Sequence, residues 1–251
     1  MICSMYFDQL IAAFRFDNIP LLVASAITFA LGFWEYIYSF RLVIREKMAP
    51  FPIWMHTFYL AHDSSWAIIL FIAASHYHWN WFLTGAASAL LVWNCFEIFN
   101  LYKAVTIERQ EIWGAYYGKN VSWRRALGNV VVQVAAFYGV VNILIAFMGQ
   151  GSVLQWFALT NVVMAVGPGI LWLRRGSRQG SSLGLGIVIL VGTINTFLPT
   201  GMFVLALPHV FNTPWYYIGG AVFTLIAAGS LYRIAKYPAK PRVAGEKRPI
   251  W

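Results

Sequence analysis

Three observations on this sequence predict an all-α, polytopic membrane fold with seven transmembrane helices. First, 60% of its 251 residues are hydrophobic and only 11% are charged, which excludes an ordinary soluble domain. Second, apolar stretches of about 20 residues recur along the whole chain, each long enough to cross a hydrocarbon core of about 30 Å. Third, the basic residues are confined to alternate connections. Of 18 Lys and Arg, Arg15 alone precedes the first stretch, and the other 17 lie in the first, third and fifth connections, at the C-terminal end of the last stretch (Arg233) and in the tail. The positive-inside rule makes that side cytoplasmic. The N-terminus is then expected outside and the C-terminus inside, which requires an odd number of spans.

The elements follow in order. Residues 1–19 are too charged to span and lack a signal-peptide pattern, so an interfacial amphipathic segment is expected there. Spans are expected at about 20–40, 53–75, 81–102, 127–148, 153–173, 183–207 and 214–234, forming one transmembrane domain over 20–234. Residues 235–251 (ending PAKPRVAGEKRPIW) are basic and Pro-containing, and read as a disordered cytoplasmic tail. A parallel 3+1+3 repeat is a further expectation. An offset of 133 carries Arg41 and Arg45-Glu46 onto Arg174 and Arg178-Gln179, and His62-Asp63 onto Asn195-Thr196.

Several function classes are excluded. The net charge of +9 resides in membrane-flanking loops, so no nucleic-acid partner is expected. Cys3 and Cys95 make no disulfide framework, and no zinc-type cluster, phosphate loop or Asp-rich metal motif occurs, so neither metal nor cofactor is expected. The last span has no Lys for a retinal Schiff base.

What needs explaining is three of the 9 acids: Glu35, Asp63 and Glu97 lie inside spans that contain no Lys or Arg. An ionisable group at membrane depth costs roughly 2.5 kcal/mol or more and usually marks a functional site. With no such cation beside it, a carboxyl there is expected to keep its proton. At 1.5 Å per residue, Asp63 reaches the midplane, and Glu35 and Glu97 the cytoplasmic half. The three are therefore expected to border one cavity among the first three spans. Helical spacing groups the neighbours: His56, Tyr59, Asp63 and Trp66 on one stripe with His62 beside it; Trp93, Asn94, Glu97 and Asn100 on another; Trp34, Tyr38 and Ser39 around Glu35. Isolated amides in the later spans, such as Asn195, read first as packing glue.

The run from Trp34 through Arg41, Pro52 and HDSSW (62–66), with VWNCFEIFNLY (92–102) and RRGSRQGSSLGLGIVILVGT (174–193), resembles the small seven-helix integral-membrane terpene cyclases of meroterpenoid and indole-diterpene biosynthesis. The chain departs from that family's pattern in three places, the first being Asp63 where the second-helix motif carries an Asn. Ala67 stands where a Glu follows the second-helix Trp, and Gly229 and Ser230 stand where the last helix carries an acid.

The resemblance implies a metal-free enzyme that protonates an epoxide or alkene of a prenyl chain and quenches the resulting cation by proton loss. Asp63 would be the donor, tuned by His62 or His56, with Glu97 or Glu35 as partner or terminal base. Trp34, Tyr38, His56, Tyr59, Trp66, Trp93, Asn94 and Asn195 would line the substrate site. The partners would be a lipophilic small molecule and the bilayer, in the endoplasmic reticulum of a eukaryote or the plasma membrane of a bacterium. An epoxide hydrolase, or other epoxide-opening enzyme, and a proton-coupled small-molecule carrier are the competing readings.

Overall fold

A computed structural model describes residues 2–241 and 248–251, with side chains from Tyr6 onward. The Cys3 side chain therefore lies outside the described residues, while Cys95 is an exposed free thiol. Among the described residues the chain is helical with no strand. Seven helical stretches are long and apolar enough to span a bilayer. Large apolar side chains point outward on several of them: Val132 and Phe147 on one helix, Leu225 and Ile218 on another. Apolar surface of that kind needs lipid around it, so the architecture is that of a multi-pass membrane protein.

The chain forms two compact units. The first comprises residues 1–15 and 53–156, the second residues 16–52 and 157–251. In the first unit lie α1 (Ile2–Ala13), α3 (Ile53–His76), α4 (Trp81–Lys103), α5 (Arg109–Tyr117) and α6 (Trp123–Met148). The short N-terminal helix expected from its composition forms, and its Phe7, Leu10 and Phe14 stripe is buried. Phe14 stacks on Phe82 with ring centroids 3.6 Å apart, and Trp81 Nε1 donates to Phe14 O at 3.1 Å.

α3 and α4 form a hairpin whose turn places His78 and Trp79 at positive φ. The Asn80 side chain caps α4 by accepting from the main-chain N–H groups of Phe82 and Leu83. The third span does not stop near residue 102. It continues through a π turn at Ala104–Glu108 into α5, so the first part of the basic connection is itself helical. Trp113, Val121 and Val130 close a small core beneath it, and the Gln110 side chain pins the following loop by accepting from Val121 N.

The second unit contains α2 (Ile19–Glu46), most of α7 (Val153–Arg175), α8 (Leu183–Phe197), α9 (Met202–Ala206), α10 (Pro208–Phe211) and α11 (Pro214–Lys236). α2 begins on Pro20 in its first turn and ends at Lys47, whose φ of 59° stops the helix in the left-handed region. α2 packs on α8 and α9, and α8 packs on α11. The end of α7 is tied to the loop after α2, with Trp172 Nε1 donating to Pro50 O at 2.9 Å and Arg175 Nη1 to Ala49 O at 2.7 Å.

The sixth span is broken rather than continuous over 183–207. Pro199 holds the preceding Leu198 extended, at ψ 143°, and has no N–H to donate, so α8 ends at Phe197. One of the carbonyls this frees, that of Thr196, accepts instead from Tyr216 Oη on α11 at 2.7 Å.

The tail also differs from expectation, because its described residues are docked. Glu46 accepts from Lys240 Nζ on both oxygens, at 2.7 and 2.8 Å, and from the main-chain N–H groups of Gly180 and Ile250. Ile250 is 4% exposed. A basic, Pro-containing segment folds back here because a carboxylate at the end of α2 takes up its donors.

Candidate functional site

α3 is the most enclosed of the spans, and its polar stripe is the reason to look there. His56, Tyr59, His62, Asp63 and Trp66 are all buried, as are Asn94, Glu97 and Asn100 on α4. The spacing of these residues puts them on inward faces, as helical periodicity requires.

Two histidine–carboxyl pairs occupy this interior. His56 Nδ1 lies 2.5 Å from Glu97 Oε2, joining α3 to α4, and His62 Nδ1 lies 2.7 Å from Asp63 Oδ1. Both acids therefore have an imidazole partner, in spans that supply no Lys or Arg. Each ring bonds its acid through Nδ1, so Nε2 is the second atom through which a proton can pass. Glu97 is also close enough to Asp63 to act on it electrostatically.

Aromatic rings surround the second pair. The His62 ring is 5.8 Å from Phe58 and 5.5 Å from Trp156, and Trp66 lies 6.4 Å from Trp156, all measured between centroids. Trp66 and Trp156 are fully enclosed, and neither indole N–H has a hydrogen-bond acceptor among the described residues. Asn94 Oδ1 and both polar atoms of the Asn100 side chain are buried in the same condition. Such atoms carry a desolvation cost that a bound oxygen or water would offset. Next along α3, Ser64 bonds Tyr138 Oη at 2.6 Å and Ser65 accepts from Asn142 at 3.2 Å, fixing α3 against α6.

Sequence reasoning missed Trp156, Phe58 and Phe137. Phe137 of α6 packs edge-on against Phe58. Trp156 stands near a span start, where a Trp ordinarily reads as an interfacial belt residue.

Of the remaining candidates, Glu35, Tyr38, Asn195 and Trp34 lie in the second unit and Trp93 in the first. Glu35 is 7% exposed and belongs to α2, with its Oε1 against Gly192 of α8, where an added Cβ would lie 3.4 Å away. The Tyr38 ring packs on Gly184 of α8. Asn195 donates to Thr28 Oγ1 at 2.8 Å and so ties α8 to α2. Trp34 is 55% exposed and faces outward rather than lining an interior, because position 34 lies about 100° around the helix from Glu35. Trp93 is half-buried on α4.

Among the described residues no three His, Cys, Asp or Glu side chains come together in a way that could hold a metal ion. The chain matches no family model, no curated protein and no solved structure in the three comparisons.

Proposed function

We propose that this protein is an integral-membrane enzyme that opens an epoxide, or protonates an alkene, on a lipophilic prenyl substrate and cyclises it. This is the chemistry of the seven-helix terpene cyclases that its motifs resemble. The observation that carries the reading is the buried His62–Asp63 pair, 2.7 Å apart and flanked by Phe58, Trp66 and Trp156. The orientation that accompanies it puts the basic connections and the C-terminus on the cytoplasmic side.

The His62–Asp63 pair shares a proton and delivers it to the epoxide oxygen as the C–O bond breaks, leaving a hydroxyl and a carbocation. The π electrons of the substrate's own alkenes close the ring by forming C–C bonds. A C–H proton is finally lost to the His56–Glu97 pair. Positioned proton transfer of this kind contributes about 10²–10⁴-fold. The indole faces of Trp66 and Trp156 stabilise a passing cation without reacting with it. Enclosure excludes the water that would otherwise quench it.

The test is to incubate purified protein in lipid with epoxy-farnesyl and epoxy-geranylgeranyl compounds and to analyse products by mass spectrometry. Cyclised isomers of unchanged mass are expected, and Asp63→Asn should abolish them while the protein still inserts and purifies. A vicinal diol as product would replace cyclisation by hydrolysis. Full turnover by Asp63→Asn would remove the proton-donor role.

A further inference from the structure

The docked tail builds something besides a latch. A cavity of about 560 Å³ lies at the basic end of the second unit, lined by Arg45, Glu46, Met48, Gln179, Lys240, Pro241, Arg248 and Pro249. Its volume is in the range of small-molecule sites. Four of those side chains are charged, and two cancel. Glu46 takes both of its Lys240 contacts and two main-chain N–H groups, filling the roughly four acceptor positions a carboxylate has. Lys240 is spent in turn on Glu46 and on the main-chain oxygens of Ser181 and Ile250.

Arg45 and Arg248 remain. They are far apart in sequence, yet Arg45 Nη2 donates to the main-chain oxygen of Arg248. That single bond leaves most of the Arg45 fork available, and the Arg248 side chain is exposed beside it. Arg178 is also close enough to act electrostatically on Lys240, so among the described residues it adds positive charge. Folding has thus gathered like charges around a hollow whose one described acid is already saturated. Such an arrangement is unfavourable when empty and becomes favourable around an anion. Guanidinium forks match the paired oxygens of a phosphate group, while Met48, Pro241 and Pro249 supply apolar wall.

We propose that this cavity is a binding site for a phosphate-bearing ligand, gripped by Arg45 and Arg248. The chemistry is shared by two sources, an anionic phospholipid headgroup reached from the adjoining leaflet and a soluble diphosphate. The proposal does not depend on the enzymatic reading, since it uses no residue of the His–carboxyl pairs.

Two arms separate the sources. In the first, protein in phosphatidylcholine nanodiscs doped with phosphatidic acid is examined by native mass spectrometry for retained anionic lipid. In the second, inorganic diphosphate is titrated calorimetrically into protein in neutral detergent. Wild-type protein should bind in one arm, and that arm names the source. Arg45→Gln and Arg248→Gln should each weaken binding about tenfold or more, as expected for losing a charge-assisted bond. The double variant should not bind. Arg45→Lys should fail to restore full affinity, because an ammonium lacks the fork. Arg174→Gln, which is exposed and does not line the cavity, should bind as wild type. Because Arg248 is exposed near the chain's last described residues, its variant reports even where Arg45→Gln disturbs the tail. Binding that survives in the double variant overturns the proposal, and so does wild-type protein that binds in neither arm.

Discussion

His56 and Glu97, 41 positions apart, meet at 2.5 Å with 2% and 0% of their side chains exposed. This bond is a polar link between α3 and α4, and both groups have left water to make it. Removing one partner from a buried pair costs roughly 3–5 kcal/mol, because the other is stranded. Glu97→Ala and His56→Ala should each lower thermal stability in detergent by that order, whereas Glu97→Gln, which keeps an acceptor, should lose less. In the double variant the losses should fall well short of additive, and a thermal-unfolding cycle measures that coupling.

Tyr216 Oη takes the place of a helical N–H at Thr196 O, where Pro199 has cut the ladder. In hydrocarbon an abandoned carbonyl has no water to fall back on. Tyr216→Phe keeps the ring against Phe197 and Phe211 and removes only this bond. A stability loss of about 1–3 kcal/mol is expected, the cost of leaving one buried acceptor unmade. Unfolding by a graded series of denaturing detergent would measure it.

Gly220 brings α11 onto α8 so closely that an added Cβ would lie 2.5 Å from Phe197 Cβ. That neighbour sits next to the main chain and cannot swing aside. Gly220→Ala should therefore destabilise by about 1–3 kcal/mol through overpacking. Gly229→Ala, on the same helix with nothing within 4 Å, should be neutral or slightly stabilising. Parallel melting curves of the two variants test the close approach.

Lys240 is held below its ordinary value of 10.5, chiefly because burial penalises its charged form, with Arg178 adding to the fall and Glu46 opposing it. The unfolded chain then binds this proton more firmly than the folded one. Between the lowered value and about 10.5 the unfolded state carries more protons, so this residue's contribution to stability rises with pH. Below that window both states are protonated and the contribution is constant. Lys240→Gln should flatten the rise in a series of melts at alkaline pH.

How much could be read beforehand differs by residue. Hydropathy and charge placement gave the seven spans, because each span's signal is local and long. The inward stripe of α3 was legible from the spacing of His56, Tyr59, Asp63 and Trp66, and the His62–Asp63 pair from adjacency. The pairing of His56 with Glu97 was not, since nothing in either helix specifies which face meets which. Trp156 was hidden by its position, where belt tryptophans are common. Pro199 stood in plain sight, but an apolar window averages over a single residue, so the sixth span looked whole. The tail was misread because composition reports what a segment can solvate, not that Glu46 waits at the end of α2 to accept Lys240 and Ile250.

The partition of the helices bears on how the protein is made. α2 packs with α8 and α9, which leave the ribosome about 140 residues later, a delay on the order of ten seconds at ordinary elongation rates. Glu35 thus enters the membrane long before Gly192 arrives beside it. Until the second half of the chain is threaded, that carboxyl lacks the α8 face it finally packs against. Synthesis paused before α8 should leave the α3–α4 hairpin complete while α2 still lacks the α8 and α9 surfaces on which it packs.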